Sequence, residues 1–170
     1  MSNTVIYGIK KNKKSINLIS FVNSRGFGLV TWSPYFITYL NKNPLKNFLD
    51  DEDYEDLWPL YKDERVPYHQ RVVLQATYDY SMIPTDKLEI FTTSLDKWNE
   101  DFSHLIVGKV NHVPDISKYI KENMKILNKY DYIGIQVTDI VDKQYDINWN
   151  HNGRRSVPLE KVYDIFESLK

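Results

Sequence analysis

Four histidines are the first residues to weigh for catalysis or metal binding: His69, His104, His112 and His151. No two of them stand four apart, the spacing that turns a pair of imidazoles onto one helix face. None has a carboxylate at a diagnostic offset. His104 and His112 bracket a short apolar run. If that run is extended, they lie on the order of 25 Å apart, too far to share an ion. Cysteine is absent, which removes thiolate zinc sites and any disulfide framework and fits a reducing compartment. The spacing therefore predicts no metal, no cofactor and no catalytic set.

Two short basic motifs come next. Asn23-Ser24-Arg25-Gly26-Phe27-Gly28 holds a G-x-G behind an arginine. A phosphate-cradling loop needs a helix to follow, so that its N-terminus meets the anion. Phe27 to Trp32 reads as a strand, so a hairpin turn is the expectation. His151-Asn152-Gly153-Arg154-Arg155 gathers an imidazole and two guanidiniums, a set suited to phosphate. A metal-dependent nuclease also needs a set of carboxylates, and nothing nearby supplies that set. An exposed Asn-Gly turn ahead of a helix is the plainer expectation.

The least ordinary stretch is acidic. Asp50, Asp51, Glu52, Asp53, Glu55, Asp56, Asp63 and Glu64 put eight acids between positions 50 and 64, where Lys62 is the one base. That window carries -7 and the remainder +6, within a net charge of -1. Such a window repels itself unless a cation or a basic partner meets it. Asp51-Glu52-Asp53-Tyr54-Glu55 lacks the D-x-[DN]-x-[DN]-G pattern of a calcium loop. A solvated helix start, where acids meet the positive end of the dipole, is the plain alternative. Acids ringed by aromatics suit a protein interface. Asp50, Asp51, Glu52, Asp53, Tyr54, Glu55, Asp56, Trp58 and Tyr61 are therefore the expected partner-binding residues.

The elements that position these residues follow from apolar periodicity. Phe102 to Trp149 organises the chain: a strand over His104 to Val110, a helix, a strand over Tyr132 to Val141, and a return as Tyr145, Ile147 and Trp149. Pro114 suits the start of that helix, with Asp115 in its first turn. Ile116, Ile120, Met124 and Leu127 make its apolar stripe. A strand, a helix and a strand in succession imply a parallel crossover. Earlier, Val5 to Lys10, Ile16 to Val22 and Phe27 to Trp32 read as a three-stranded meander. Ser33-Pro34 then reads as a helix start, with the helix ending by Asn43-Pro44. Leu45 to Leu49 reads as a short helical turn. Pro59 interrupts any helix over 50–61. Val72 to Met82 alternates without a break and predicts a strand, turned by Pro84 to Lys87 into a partner over Leu88 to Thr93. Ser94 then caps a short helix through Phe102. Ser156 caps a last helix carrying Leu159, Val162, Ile165, Phe166 and Leu169.

These elements predict an α+β fold in one domain over 1–170: a mixed, mainly antiparallel sheet of six to eight strands, a βαβ-like unit near 102–141, and a C-terminal helix. No apolar run reaches the roughly twenty residues of a membrane span, and 1–14 lacks a signal-peptide core. No membrane partner is expected, and a cytoplasmic location is. With 13 Tyr, 4 Trp, no catalytic set and one acidic segment, the chain reads as a non-enzymatic protein-binding inhibitor. An immunity-type protein covering a basic nuclease toxin fits, because a nuclease presents a positive site to phosphate. Direct nucleic-acid binding is not expected at this net charge. The alternatives are a phage protein that blocks a host defence nuclease, and an enzyme acting on nucleic acid or nucleotides through His151, Arg154 and Arg155. An assembly protein would instead show a large apolar self-complementary patch.

Overall fold

Along the first strand, β1 (Asn3–Lys10), Val5, Tyr7 and Ile9 point one way and Ile6 and Gly8 the other, the period of two that a sheet imposes. The structure is a computed structural model and describes residues 3–10, 15–22, 27–42, 57–78, 81–106, 111–138, 154–155 and 163–170. β1 pairs antiparallel with β2 (Ser15–Val22), as the sequence predicts. A bulge between Ile6 and Tyr7 moves the register from Ile6 opposite Ser20 to Tyr7 opposite Leu18. Its other edge pairs antiparallel with the strand Tyr132–Thr138, which in turn pairs antiparallel with Ser81–Pro84. In chain order these two are β4 and β3.

Two short strands complete the sheet. β5 (Arg154–Arg155) lies antiparallel to β2 at Ile16 and Asn17, and β6 (Tyr163–Asp164) lies parallel to β3. The order is β5-β2-β1-β4-β3-β6. The α+β class and the mixed, mainly antiparallel sheet are thus as expected. Its helices are α1 (Phe27–Lys42), α2 (Tyr68–Gln75), α3 (Leu88–Phe102), α4 (Val113–Leu127) and α5 (Ile165–Ser168). Ile6, Ile83, Ile133 and Ile135 meet Phe27, Val72, Phe91, Trp98, Ile120 and Phe166 in one core. On the opposite face Val5, Tyr7, Ile9 and Met82 form a second, smaller cluster.

Several expected strands are helical. Phe27 to Trp32 is the first third of α1, so a helix does follow Gly26. Phe27, Val30, Thr31 and Pro34 are buried at helical spacing. The helix therefore starts well before Ser33-Pro34, and it ends at Lys42 as expected. Pro34 has no N–H to give the Val30 carbonyl, and the Ser33 hydroxyl donates to that carbonyl instead, at 2.9 Å. Val72 to Gln75 is the end of α2, and among the described residues of the predicted long strand only Ser81 and Met82 are extended. Leu88 to Thr93 opens α3, whose buried residues Leu88, Phe91, Leu95 and Trp98 step by three and four. Ser94 lies inside α3 and donates to the Ile90 carbonyl.

The start of the strand predicted over His104 to Val110 is corrected. Ser103–Leu105 is a 3₁₀ turn, and Ile106 is not in a strand. Both edges of β4 are filled at Tyr132 and Ile133 by antiparallel neighbours. Residues 107–110 and 139–150 lie outside the described residues, as do 43–56 with the predicted turn over Leu45 to Leu49. α4 matches its prediction: Pro114 opens it, Asp115 sits in its first turn, and Ile116, Ile120 and Leu127 are buried. The C-terminal helix is present but short. Tyr163 and Asp164 are extended, and Asp164 caps α5 by accepting from the backbone N–H of Phe166 and Glu167. Ser156, Leu159 and Val162 lie outside the described residues.

Candidate functional site

Of the expected partner-binding residues, Asp50 to Asp56 lie outside the described residues. Leu57, the next residue, is described and is buried. Trp58–Lys62 is a 3₁₀ turn with Pro59 near its start, so no uninterrupted helix crosses this point. Tyr61 is half-buried against the main core, with its ring 4.9 Å from that of Tyr78 in an edge arrangement. The Lys62 ammonium lies 5.5 Å from the Tyr61 ring centre. Asp63 accepts from the Arg65 guanidinium through both carboxylate oxygens, at 2.9 and 2.6 Å. Those bonds hold its carboxyl down to about 2. Glu64 is exposed.

The sequence reading missed a polar knot where three helices meet. Gln70 and His69, in the first turn of α2, both reach Asp101 near the end of α3, at 2.7 and 2.6 Å to the same oxygen. Tyr35 of α1 donates its hydroxyl to the Gln70 side-chain carbonyl at 3.0 Å. The Phe102 ring lies 5.3 Å from Tyr35 and 5.2 Å from Trp98, in tilted or edge geometry. Burial drives the Tyr35 phenol upward, and the Asp101 charge adds to it. The Trp98 indole N–H is close enough to oppose that shift, although it makes no hydrogen bond of good geometry. Partial burial also pushes the Asp101 carboxyl up. The hydrogen bonds from His69 and Gln70 outweigh it, so the group sits below its usual range.

An ionised Asp101 only accepts, so His69 Nε2 carries the proton, which leaves Nδ1 as the ring's free acceptor when neutral. Beside it runs an open groove of about 410 Å³, lined by Tyr68, His69, Glu89, Ile90, Thr93, Ser94 and Lys97. An imidazole oriented by a carboxylate is half of an acid–base device. Among the described residues no hydroxyl bonds to His69, and no group of three or more His, Asp or Glu could hold a metal.

The other histidines stand apart. His112 bonds Asp115 through Nδ1 at 3.1 Å, His104 is exposed on its 3₁₀ turn, and His151 lies outside the described residues. Arg154 and Arg155 form edge strand β5 and not a turn. Pro67 ahead of Tyr68-His69-Gln70 is a local sign of a helix start. Nothing local could have joined those residues to Asp101, more than thirty positions on.

No protein family, no curated protein and no solved structure matches this chain. No described helix is long and apolar enough to cross a membrane.

Proposed function

We propose that the protein is a non-enzymatic inhibitor of immunity type, which neutralises a basic nucleic-acid-cleaving toxin through its acidic, aromatic segment. One observation carries this reading: residues 50–64 hold a charge of -7 in a chain whose remainder holds +6. Three features support it. Asp56 adjoins buried Leu57, so the acids are attached at a fixed point of the fold. Arg65, just past the window, answers Asp63 alone among the described residues. A nuclease's phosphate-binding site supplies the positive field that such a segment needs, and the pairing speeds encounter. A cytoplasmic location belongs to the same proposal.

The test is affinity capture from the native source with wild type and with the triple variant Asp51→Asn, Asp53→Asn, Asp56→Asn. The captured partner should be basic and should cleave nucleic acid, and wild type should block that cleavage. The triple variant should associate more slowly, with a flatter dependence on salt. Unchanged association at low salt would sink the proposal.

A second reading, an enzyme acting on nucleic acid or nucleotides, is favoured by His69 held against Asp101 at the groove. His69→Ala would abolish turnover under that reading and leave inhibition untouched under the first.

A further inference from the structure

α3 turns Glu89, Ile90, Thr93 and Lys97 to solvent on one stripe. Ile90 is 45 % exposed, and Tyr68 across the groove is equally so. Neighbouring charges on α3 are satisfied: Asp96 by Lys121, Asp101 by His69. Glu89 and Lys97 have no ion-pair partner among the described residues, although they line the same groove with opposite signs. They stand four residues to either side of Thr93, about 12 Å apart along the axis.

That arrangement is complementary to itself. A twofold axis through Thr93 exchanges positions 89 and 97. It sets each Glu89 against the Lys97 of a second, antiparallel α3. Thr93 and Ser94 at the crossing are small, so the helices can approach closely. Each Ile90 then falls beside the aliphatic stem of the opposite Lys97. Glu100, the next charge on the stripe, is about 10 Å from the crossing, where an angle near 50° has carried the helices apart.

We infer that the α2–α3 groove is a self-association surface whose occupant is α3 of a second copy of this chain. One helix face per copy is less than the roughly 800 Å² per partner of a standard interface, so the dimer is weak and reversible. Its ion pairs are exposed and are screened by salt. The inference does not rest on the inhibitor reading.

The experiment is sedimentation equilibrium of the full chain at low salt over a wide concentration range, with wild type, Glu89→Lys and Lys97→Glu. Wild type should show a reversible monomer–dimer equilibrium. Each single reversal should weaken it at least tenfold. One variant then carries two cations on the stripe and the other two carboxylates, so an equimolar mixture of the two should dimerise again. The double reversal should associate like wild type. Three results would overturn the inference: monomeric wild type throughout, single reversals that associate as wild type does, or a mixture that stays monomeric. Melts by circular dichroism check that the variants are folded, which exposed positions permit. Should a reversal fail to fold, Glu89→Gln and Lys97→Gln carry the test, and unchanged association in both is then the overturning result.

Discussion

Gly8 works by what it leaves out. A Cβ there would fall 2.5 Å from the Tyr130 ring. The ring cannot easily withdraw, because its backbone is fixed on both sides. The Tyr130 carbonyl accepts from Thr85 at 2.8 Å, and the Asp131 N–H donates to the Ile9 carbonyl at 3.1 Å. Gly8→Ala should therefore cost on the order of 1–3 kcal/mol by overpacking, read from urea midpoints. Adding Tyr130→Ala should remove most of that penalty, and strict additivity would show that the contact is not its source. Asp96 makes a second prediction at this scale. Partial burial raises its carboxyl, but hydrogen bonds from Lys121 and Ser117 outweigh that and lower it overall. A depressed folded value gives stability that is present above the unfolded value of about 3.9 and lost as pH falls through the folded one. Wild type should melt above Asp96→Asn near neutral pH, with the gap closing in acid. A gap that persists below about pH 2 would assign the effect to something other than ionisation.

What the sequence showed of each element depended on how many neighbours buried it. α4 packs one stripe inward and wets the rest, so Ile116, Ile120 and Leu127 announced it. The β1–β2 hairpin was equally plain. α2 is buried over four consecutive positions from Val72 to Gln75, and a short element covered on several sides loses its period. The alternation of Val72, Leu74 and Ala76 then passed for a strand. α3 carried a legible signal, Leu88, Phe91, Leu95, Trp98 and Phe102, which the β-rich opening Ile90-Phe91-Thr92-Thr93 obscured. The acidic stretch was visible because composition is local. The meeting of His69, Gln70 and Asp101 was not, because it is made by the packing of α2 on α3. α1 was hidden by Pro34, which ordinarily ends or starts a helix. Its accommodation is testable. With Pro34 in place, the Val30 carbonyl lacks its usual donor four residues on and accepts from the Ser33 hydroxyl, so Ser33→Ala should cost about 1–3 kcal/mol. In a Pro34→Ala background the backbone N–H returns and the same substitution should cost clearly less. Equal costs in the two backgrounds would mean that the hydroxyl is not replacing the missing donor.

Chain ends that are far apart in sequence meet in one core, and that bears on how the whole molecule unfolds. Ile6 of β1, Val72 of α2, Trp98 of α3, Ile120 of α4 and Phe166 of α5 belong to a single buried cluster. β6 pairs with β3 at one edge of the sheet, so the last residues are joined to it. No described element has a separate core that could survive the loss of this one, apart from the small cluster on the opposite face of the same sheet. Unfolding of the described elements should therefore be one cooperative transition, because they share this core. Phe166→Ala tests this from the far end of the chain. Phe166 is 7 % exposed, and its truncation should cost on the order of 3–5 kcal/mol. The loss should appear equally in near-ultraviolet dichroism, which reads Trp98 and its aromatic neighbours, and in far-ultraviolet dichroism, which reads the helices. Coincident midpoints lowered by the same amount are the expected result. A variant whose far-ultraviolet midpoint holds while the near-ultraviolet one falls would show that α5 closes only part of the molecule, and that two units melt where one core predicts one.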